Sequence, residues 1–241
     1  MNKIALIYTT FLRDDLASKT ITSIINNWNT DWRLLIGDQN PTDEKASLYA
    51  NFMYYDLPFD CGLSYARNYL VKKAKELGYE YCLVTADSIE FTGQYNFEPI
   101  MIFMKDNGVD KVGFRLDNRV SWEYNIELIP GKHFELSLSN ENLEYDGITY
   151  NKVDICKNFF LAKTDALINI PWDNELKLSE HEDHCWRLKQ ASYKTYFTNY
   201  IGANYVDNKP NEYTKYRQRM YFEYRKKLQE KYGIKGWIIK K

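Results

Sequence analysis

The sequence predicts an α/β protein with a mainly parallel central sheet, flanking helices and a smaller mixed sheet in its second half. Three observations carry this. Over the first 90 residues, apolar β-rich runs alternate with stretches of helical periodicity, as right-handed βαβ units require. Beyond Phe91 the pattern changes to short alternating segments around Pro130-Gly131 and Asp146-Gly147, which suits antiparallel ribbons. Between them the run 79–91 (YEYCLVTADSIEF) breaks off in Asp87 among small polar residues. A buried strand delivering an acid to the carboxyl edge of a sheet reads this way, and ligands bind at that edge in open α/β sheets.

Taken in order, residues 3–10 (KIALIYTT) form a first strand closing in two hydroxyls. After the turn Phe11-Leu12-Arg13, Asp14 or Asp15 caps a helix whose Leu16, Ile21, Ile24, Ile25 and Trp28 recur at helical spacing. Residues 32–37 (WRLLIG) make a second strand, followed by the turn-rich Asp38-Gln39-Asn40-Pro41, and residues 53–57 a short third. Ser64 opens a helix with Ala66, Tyr69, Leu70, Ala74 and Leu77 on one face, stopped by Gly78. The run through Val84 is the fourth strand. Residues 99–105 are expected as helix, 111–116 (KVGFRL) as strand, and 120–150 as ribbons. Residues 154–162 (DICKNFFLA) read as buried and 172–179 as loop. Residues 180–190 (EHEDHCWRLKQ) form a helix with acids at its positive end, and 193–198 (YKTYFT) a further strand.

In the last 30 residues Tyr213, Tyr216, Met220, Tyr224 and Leu228 recur at three- and four-residue steps, with Arg217, Arg219, Arg225, Lys226 and Lys227 around them. A helix packing its tyrosine face on the core accounts for this pattern. Contact with an anionic acceptor, a membrane surface or nucleic acid is the functional alternative. With no repeat or clear linker, residues 1–241 are expected to form one domain. Its parts are a nucleotide-type half (about 1–95), an acceptor and catalytic half (about 96–210) and the basic aromatic helix (about 211–241).

A hydrophobic fraction of 44%, a charged fraction of 27% and a net charge of -1 belong to an ordinary globular chain and argue against general coating of nucleic acid or anionic membrane. No apolar run approaches the roughly 18 residues that span a bilayer, and the N-terminus leads directly into a strand. A soluble, unexported, cytoplasmic protein is expected. Cys61, Cys82, Cys156 and Cys185 are far apart and read as free thiols.

Three strand ends carry polar groups, Thr9-Thr10 with Arg13, Asp38, and Asp87. Singly each could only cap a turn, but in a parallel sheet they share an edge and can converge on one ligand. Gly62 permits close backbone approach, Ser64 starts a helix whose amides attract an anion, and Arg67 can complement a phosphate or hold an acid. The cluster His181-Glu182-Asp183-His184 is not H-E-x-x-H and offers only two histidines, so catalytic zinc is not expected.

The stretch Asp60-Cys61-Gly62-Leu63-Ser64-Tyr65-Ala66-Arg67-Asn68, followed by the acidic strand ending Thr85-Ala86-Asp87-Ser88, resembles the N-x-G-x-x-x-A-R-N helix and D-x-D-type strand of the GT-A glycosyltransferases of family 2. Glu182-Asp183-His184-Cys185-Trp186-Arg187-Leu188-Lys189 is similar to that family's E-D-x-x-x-x-x-R helix. Asn158-Phe159-Phe160-Leu161-Ala162-Lys163-Thr164-Asp165 resembles the N-F-F-L-A-R-T-D segment of N-acetylgalactosaminyltransferases. The resemblance is collinear over about residues 3–205.

It implies a Rossmann-like GT-A fold and inverting transfer of a sugar from a nucleotide-sugar, a UDP-sugar by expectation, to a glycan or other hydroxyl acceptor. By the same resemblance Asp183 is the general base, with Glu182 the neighbouring alternative. Asp87 anchors a divalent cation, Mn²⁺ or Mg²⁺, and the donor diphosphate. Thr9, Thr10, Phe11, Arg13 and Asp38 hold the base and ribose, and Gly62 and Arg67 lie beside the phosphates. The family motif commonly carries two or three acids, and Ala86-Asp87-Ser88 keeps one. Two further readings stay open, a non-catalytic nucleotide-sugar or glycan-binding relative and a sugar transferase acting on nucleic acid through the basic tail.

Overall fold

The computed structural model describes residues 4–27, 32–117, 123–206 and 212–240. Lys3, Trp28 and the start of the expected ribbons at Val120, Ser121 and Trp122 lie outside the described residues.

Strand β1 (Ile4–Thr10) is buried along its whole length, which is why its apolar run does not alternate. Helix α1 (Asp14–Asn26) follows, with Asp14 and Asp15 in its first turn rather than as its cap. It buries Leu16, Ile21 and Ile24, while Ile25 is exposed. Then come β2 (Trp32–Asp38), the short helix α2 (Asp43–Leu48) and β3 (Met53–Asp56). Helix α3 (Leu63–Glu76) packs Ala66, Leu70, Val71 and Ala74 inward and ends at Leu77 with Gly78 in the left-handed region at φ 80°, where glycine carries no Cβ penalty. Strand β4 (Tyr81–Val84), the two-residue β5 (Ile89–Glu90), α4 (Glu98–Asp106) and β6 (Lys111–Asp117) follow.

The ribbons are real. Strands β7 (Asn125–Ile129) and β8 (His133–Ser137) pair antiparallel, as do β9 (Asn142–Tyr145) and β10 (Ile148–Val153). Strand β11 (Phe160–Lys163) is the buried core of the N-F-F-L-A segment. The remaining elements are α5 (Thr164–Asn169), α6 (Glu180–Gln190), the long β12 (Thr195–Tyr205), α7 (Glu212–Tyr232) and β13 (Trp237–Ile239).

The central sheet runs β3-β2-β1-β4-β11-β6-β12-β10-β9, with β5 on β12. Strands β3, β2, β1 and β4 are parallel, as are β6 and β12, while β11 lies antiparallel between β4 and β6. The second sheet, β13-β8-β7, is small and mixed. On one face of the central sheet, Leu6, Tyr8, Trp32, Leu83 and Phe159 pack with Ile21, Ile24 and Phe103. On the other, Ile7, Leu35 and Val84 pack with Leu70, Ala74 and Trp172. Burying both faces leaves the carboxyl ends of β1 and β4 as the open edge. None of the described helices is long and apolar enough to cross a membrane.

Candidate functional site

A cavity of about 590 Å³ opens over that edge. Its floor is the end of β1 with the following turn, Thr9, Thr10, Phe11 and Arg13, beside Ala86, Asp87 and Ser88 after β4. Asp60, Gly62 and Arg67 form one wall, Lys157, Asn158, Lys177 and His181 another, and Tyr213, Tyr216, Arg217, Met220 and Tyr224 of α7 roof it.

Asp87 is the electrostatic centre. Its Oδ1 accepts a hydrogen bond from Arg13 Nη1 at 2.7 Å, with only 7% and 11% of the two side chains exposed. Thr20 Oγ1 donates to the Asp87 carbonyl at 2.9 Å and fixes the backbone there. Burial pushes the carboxyl up from its ordinary value, opposed by Arg13, then Arg217 and Arg67. Three guanidiniums from three parts of the chain therefore act on one acid. A hard cation needs several oxygen ligands, and the donor set here does not fit one well. Asp87 is already ion-paired, Ser88 offers a neutral hydroxyl, and among the described residues no three His, Cys, Asp or Glu side chains gather as a metal site.

The turn into α3 is built around Gly62, at φ 87° and ψ 160°, a region essentially reserved for glycine. A Cβ there would sit 2.6 Å from Lys177 Cγ, so position 62 also needs the missing side chain for space. Its N–H donates to Gln39 Oε1 at 2.8 Å, while Ser64 spends its hydroxyl on the Leu176 carbonyl at 2.6 Å instead of capping. Arg67 Nη1 donates to Glu180 Oε1 at 2.8 Å, and both side chains are almost wholly buried. Asn68 exchanges bonds with Trp172, Nδ2 to the carbonyl at 2.8 Å and Oδ1 from the N–H at 2.9 Å. The A-R-N triplet thus clamps the loop before α6 and the first residue of α6 against α3.

Asp38 departs from expectation. It is fully buried and absent from the cavity wall. Its Oδ1 accepts from Asn40 N at 2.8 Å, and its Oδ2 accepts from Tyr54 OH at 3.0 Å and pairs with Lys45 Nζ at 3.2 Å. The neighbour that faces the cavity is Gln39.

Helix α6 brings a second departure. Asp183 is fully buried and, like Glu182, is not part of the cavity wall. Its Oδ2 accepts from Arg187 Nε at 2.8 Å, and its Oδ1 takes Tyr232 OH at 2.8 Å and Lys231 Nζ at 2.7 Å. Glu182, one residue earlier and half-buried, has its carboxyl pushed up to about 7, mainly by burial and further by Glu180 and Asp183.

His181 lines the cavity and shares a hydrogen bond with the Cys156 carbonyl. Burial, with Lys111 and Arg67 nearby, lowers its pKa to about 3 and keeps the ring neutral. His184 stacks on Trp172 at 4.2 Å, and its Nε2 meets the Ile170 carbonyl at 2.9 Å, so the two histidines do not form a metal pair. The E-D-x-x-x-x-x-R spacing itself fits better from Glu180, which has Arg187 seven residues on. Counted from Glu182, the arginine position holds Lys189. In the earlier register His181 stands at the aspartate position.

Helix α7 closes the cavity with residues of its N-terminal part. Tyr213 lies edge-on to Phe11 at 5.9 Å with Arg13 over its ring at 5.5 Å, and Tyr216 OH donates to Asp60 Oδ2 at 2.7 Å. Farther along, Tyr224 and Leu228 bury against Leu176 and Leu178. The helix therefore packs its tyrosine face on the core, as expected, and contributes to the site as well.

No family model matches the sequence, and no curated protein matches it. Solved structures do. S. aureus TarS 1-349 superposes with a TM-score of 0.59 at 13% identity, over 85% of this chain and 60% of that one. The same TarS fragment in complex with UDP gives a TM-score of 0.54 at 13% identity, over 86% and 58%. GalNAc-T7 with UDP, GalNAc and Mn²⁺ gives a TM-score of 0.66 at 11% identity, over 85% and 44%. This chain thus spans less than two thirds of each of those chains. These likenesses show the fold, which is the GT-A fold that the sequence resemblance implied.

Proposed function

We propose that this chain is a glycosyltransferase that binds a nucleotide-sugar, of the UDP-sugar class, in the cavity over β1 and β4 and passes the sugar to a hydroxyl acceptor with inversion. One observation carries the reading. Thr9, Thr10, Phe11, Arg13, Gly62, Arg67 and Asp87, assigned to the donor from separate stretches of sequence, line a single cavity. Its volume of about 590 Å³ lies within the usual range of small-molecule sites. The presence of UDP in the TarS and GalNAc-T7 structures supports the nucleotide assignment.

In this mechanism the base and ribose lie over the β1 turn, with Gln39 taking the polar role first expected of Asp38. Phe11 and Tyr213 offer aromatic faces. The diphosphate sits near Asp87 and Gly62, where Arg13, Arg217 and Lys177 oppose the negative charge that grows as the leaving group departs. A carboxylate on the far side of the anomeric carbon takes the acceptor proton. Neither of the two α6 acids first considered is part of the cavity wall. Glu182 is the candidate for that role because both Asp183 oxygens are committed, while burial pushes the Glu182 carboxyl up to about 7. The Mn²⁺ of the GalNAc-T7 structure and the resemblance imply a divalent cation on Asp87. The residues here fit it poorly, and no step is assigned to it.

The four free cysteines fit a reducing compartment, so the cytoplasm is the proposed place of action. A panel of nucleotide-sugars, with release of nucleoside diphosphate as the readout, tests the enzyme reading. Turnover that Glu182→Gln abolishes supports it, and no turnover with any donor and acceptor contradicts it. The single strand-end acid and the committed Asp183 favour a second reading, a nucleotide-sugar-binding relative without transfer, which predicts donor binding but no release.

A further inference from the structure

We infer that the donor diphosphate is held by cationic side chains of this chain, with Arg217 of α7 as a principal contact, so that donor binding needs no divalent cation. This rests on the donor-site reading above and deepens it.

The charge balance of the cavity comes first. Arg13, Arg67, Lys157, Lys177 and Arg217 line it, against two carboxylates, Asp60 and Asp87. Arg67 is spent on Glu180, Lys177 on Asp60 at 2.7 Å, and Arg13 on Asp87. Arg217 is exposed at the mouth and has no hydrogen-bonded or ion-paired carboxylate among the described residues. Its field nevertheless reaches Asp87. A site with this excess of cations attracts an anion on its own, whereas a dication bound to Asp87 would have to enter among Arg13, Arg217 and Arg67. Arginine suits the task, because its planar fork matches phosphate oxygens two at a time.

The helix that carries Arg217 is also held in place. One turn of α7 is tied through Tyr216 to Asp60, and the next turns are seated by Met220, Tyr224 and Leu228 on Leu176 and Leu178. Its guanidinium is thereby presented to the cavity by two independent anchors. This is the contribution of the basic tail that neither a solvated face nor nucleic-acid binding accounts for.

Calorimetric titration of the full chain with UDP, once in EDTA and once in Mn²⁺, tests the inference. Wild type is expected to bind equally well in both buffers, and Arg217→Ala to weaken binding about tenfold or more in EDTA. Arg219→Ala, an exposed neighbour outside the cavity wall, should bind as wild type does. Binding that appears only with Mn²⁺, or Arg217→Ala binding like wild type in EDTA, overturns the inference and leaves the donor site intact. No binding in either buffer overturns the donor-site reading and the inference with it.

Discussion

Replacing Asp183 with alanine separates a scaffold role from a catalytic one. The carboxylate has no exposed surface and takes three donors, Arg187 Nε, Tyr232 OH and Lys231 Nζ. Breaking a buried ion pair from one side costs about 3–5 kcal/mol when the partner stays buried and unpaired. Here the partners can recover part of that. Arg187 and Lys231 are 27% and 34% exposed, and Lys231 keeps Asp173 at 2.5 Å. The cost should therefore fall to about 2–3 kcal/mol, a drop of roughly 30- to 150-fold in the folding equilibrium. Urea unfolding measures it directly, and calorimetry on the same variant, kept at a temperature where it is folded, measures UDP binding. The expected result is a clear loss of stability with donor affinity within a few-fold of wild type. Unchanged stability combined with loss of turnover would refute the reasoning and restore Asp183 as the base.

Other perturbations follow from the same geometry. Because the folded-state pKa of Glu182 is raised to about 7 from an unfolded value of about 4.3, the folded chain binds this proton more tightly. Its stabilising effect is full below about 4.3 and is lost as pH rises through about 7. Glu182→Gln should flatten that part of the stability–pH curve, and a variant with the wild-type stability–pH profile would contradict this. Gly62→Ala should cost roughly 1–3 kcal/mol for its backbone conformation alone, plus the displacement of Lys177, whose Cγ and Cα would lie 2.6 and 3.2 Å from the new Cβ. A urea midpoint equal to wild type would show that this turn is not strained. Arg67→Met leaves the Glu180 carboxylate buried without its partner and should lose about 3–5 kcal/mol, while Glu180→Gln with Arg67→Met should recover part of that loss in a double-mutant cycle.

How far the chain could be read from its sequence differs by element. The β1, β2 and β4 runs and the span of α6 were legible because apolar periodicity and acidic helix starts are local signals. The polar strand ends could be named in advance, yet their facing could not. Whether Asp38 or Gln39 meets the cavity depends on Tyr54 and Lys45, which reach Asp38 from β3 and α2. The register of α6 stays open in the sequence for a related reason. Two acids in a row at Glu182-Asp183 compete with the spacing from Glu180 to Arg187, and the Arg67–Glu180 pair, 113 positions apart, is a tertiary contact that no local pattern reports. The steps of Tyr213, Tyr216, Met220 and Tyr224 marked one face of a helix without telling that part of this face closes a cavity. Lys157 and Lys177 sit in loops whose place in the site is set entirely by tertiary packing. Helix α2 and strand β13 are short and carry little local pattern.

The central claim is that the cavity over β1 and β4 receives a nucleotide-sugar. A crystal structure of the full chain with UDP tests it most directly. The account predicts the nucleoside against Phe11 and Gln39, with its diphosphate between Gly62, Asp87 and Arg217. A nucleotide bound elsewhere, or a cavity that stays empty at saturating UDP and at saturating concentrations of the other nucleoside diphosphates, would contradict it.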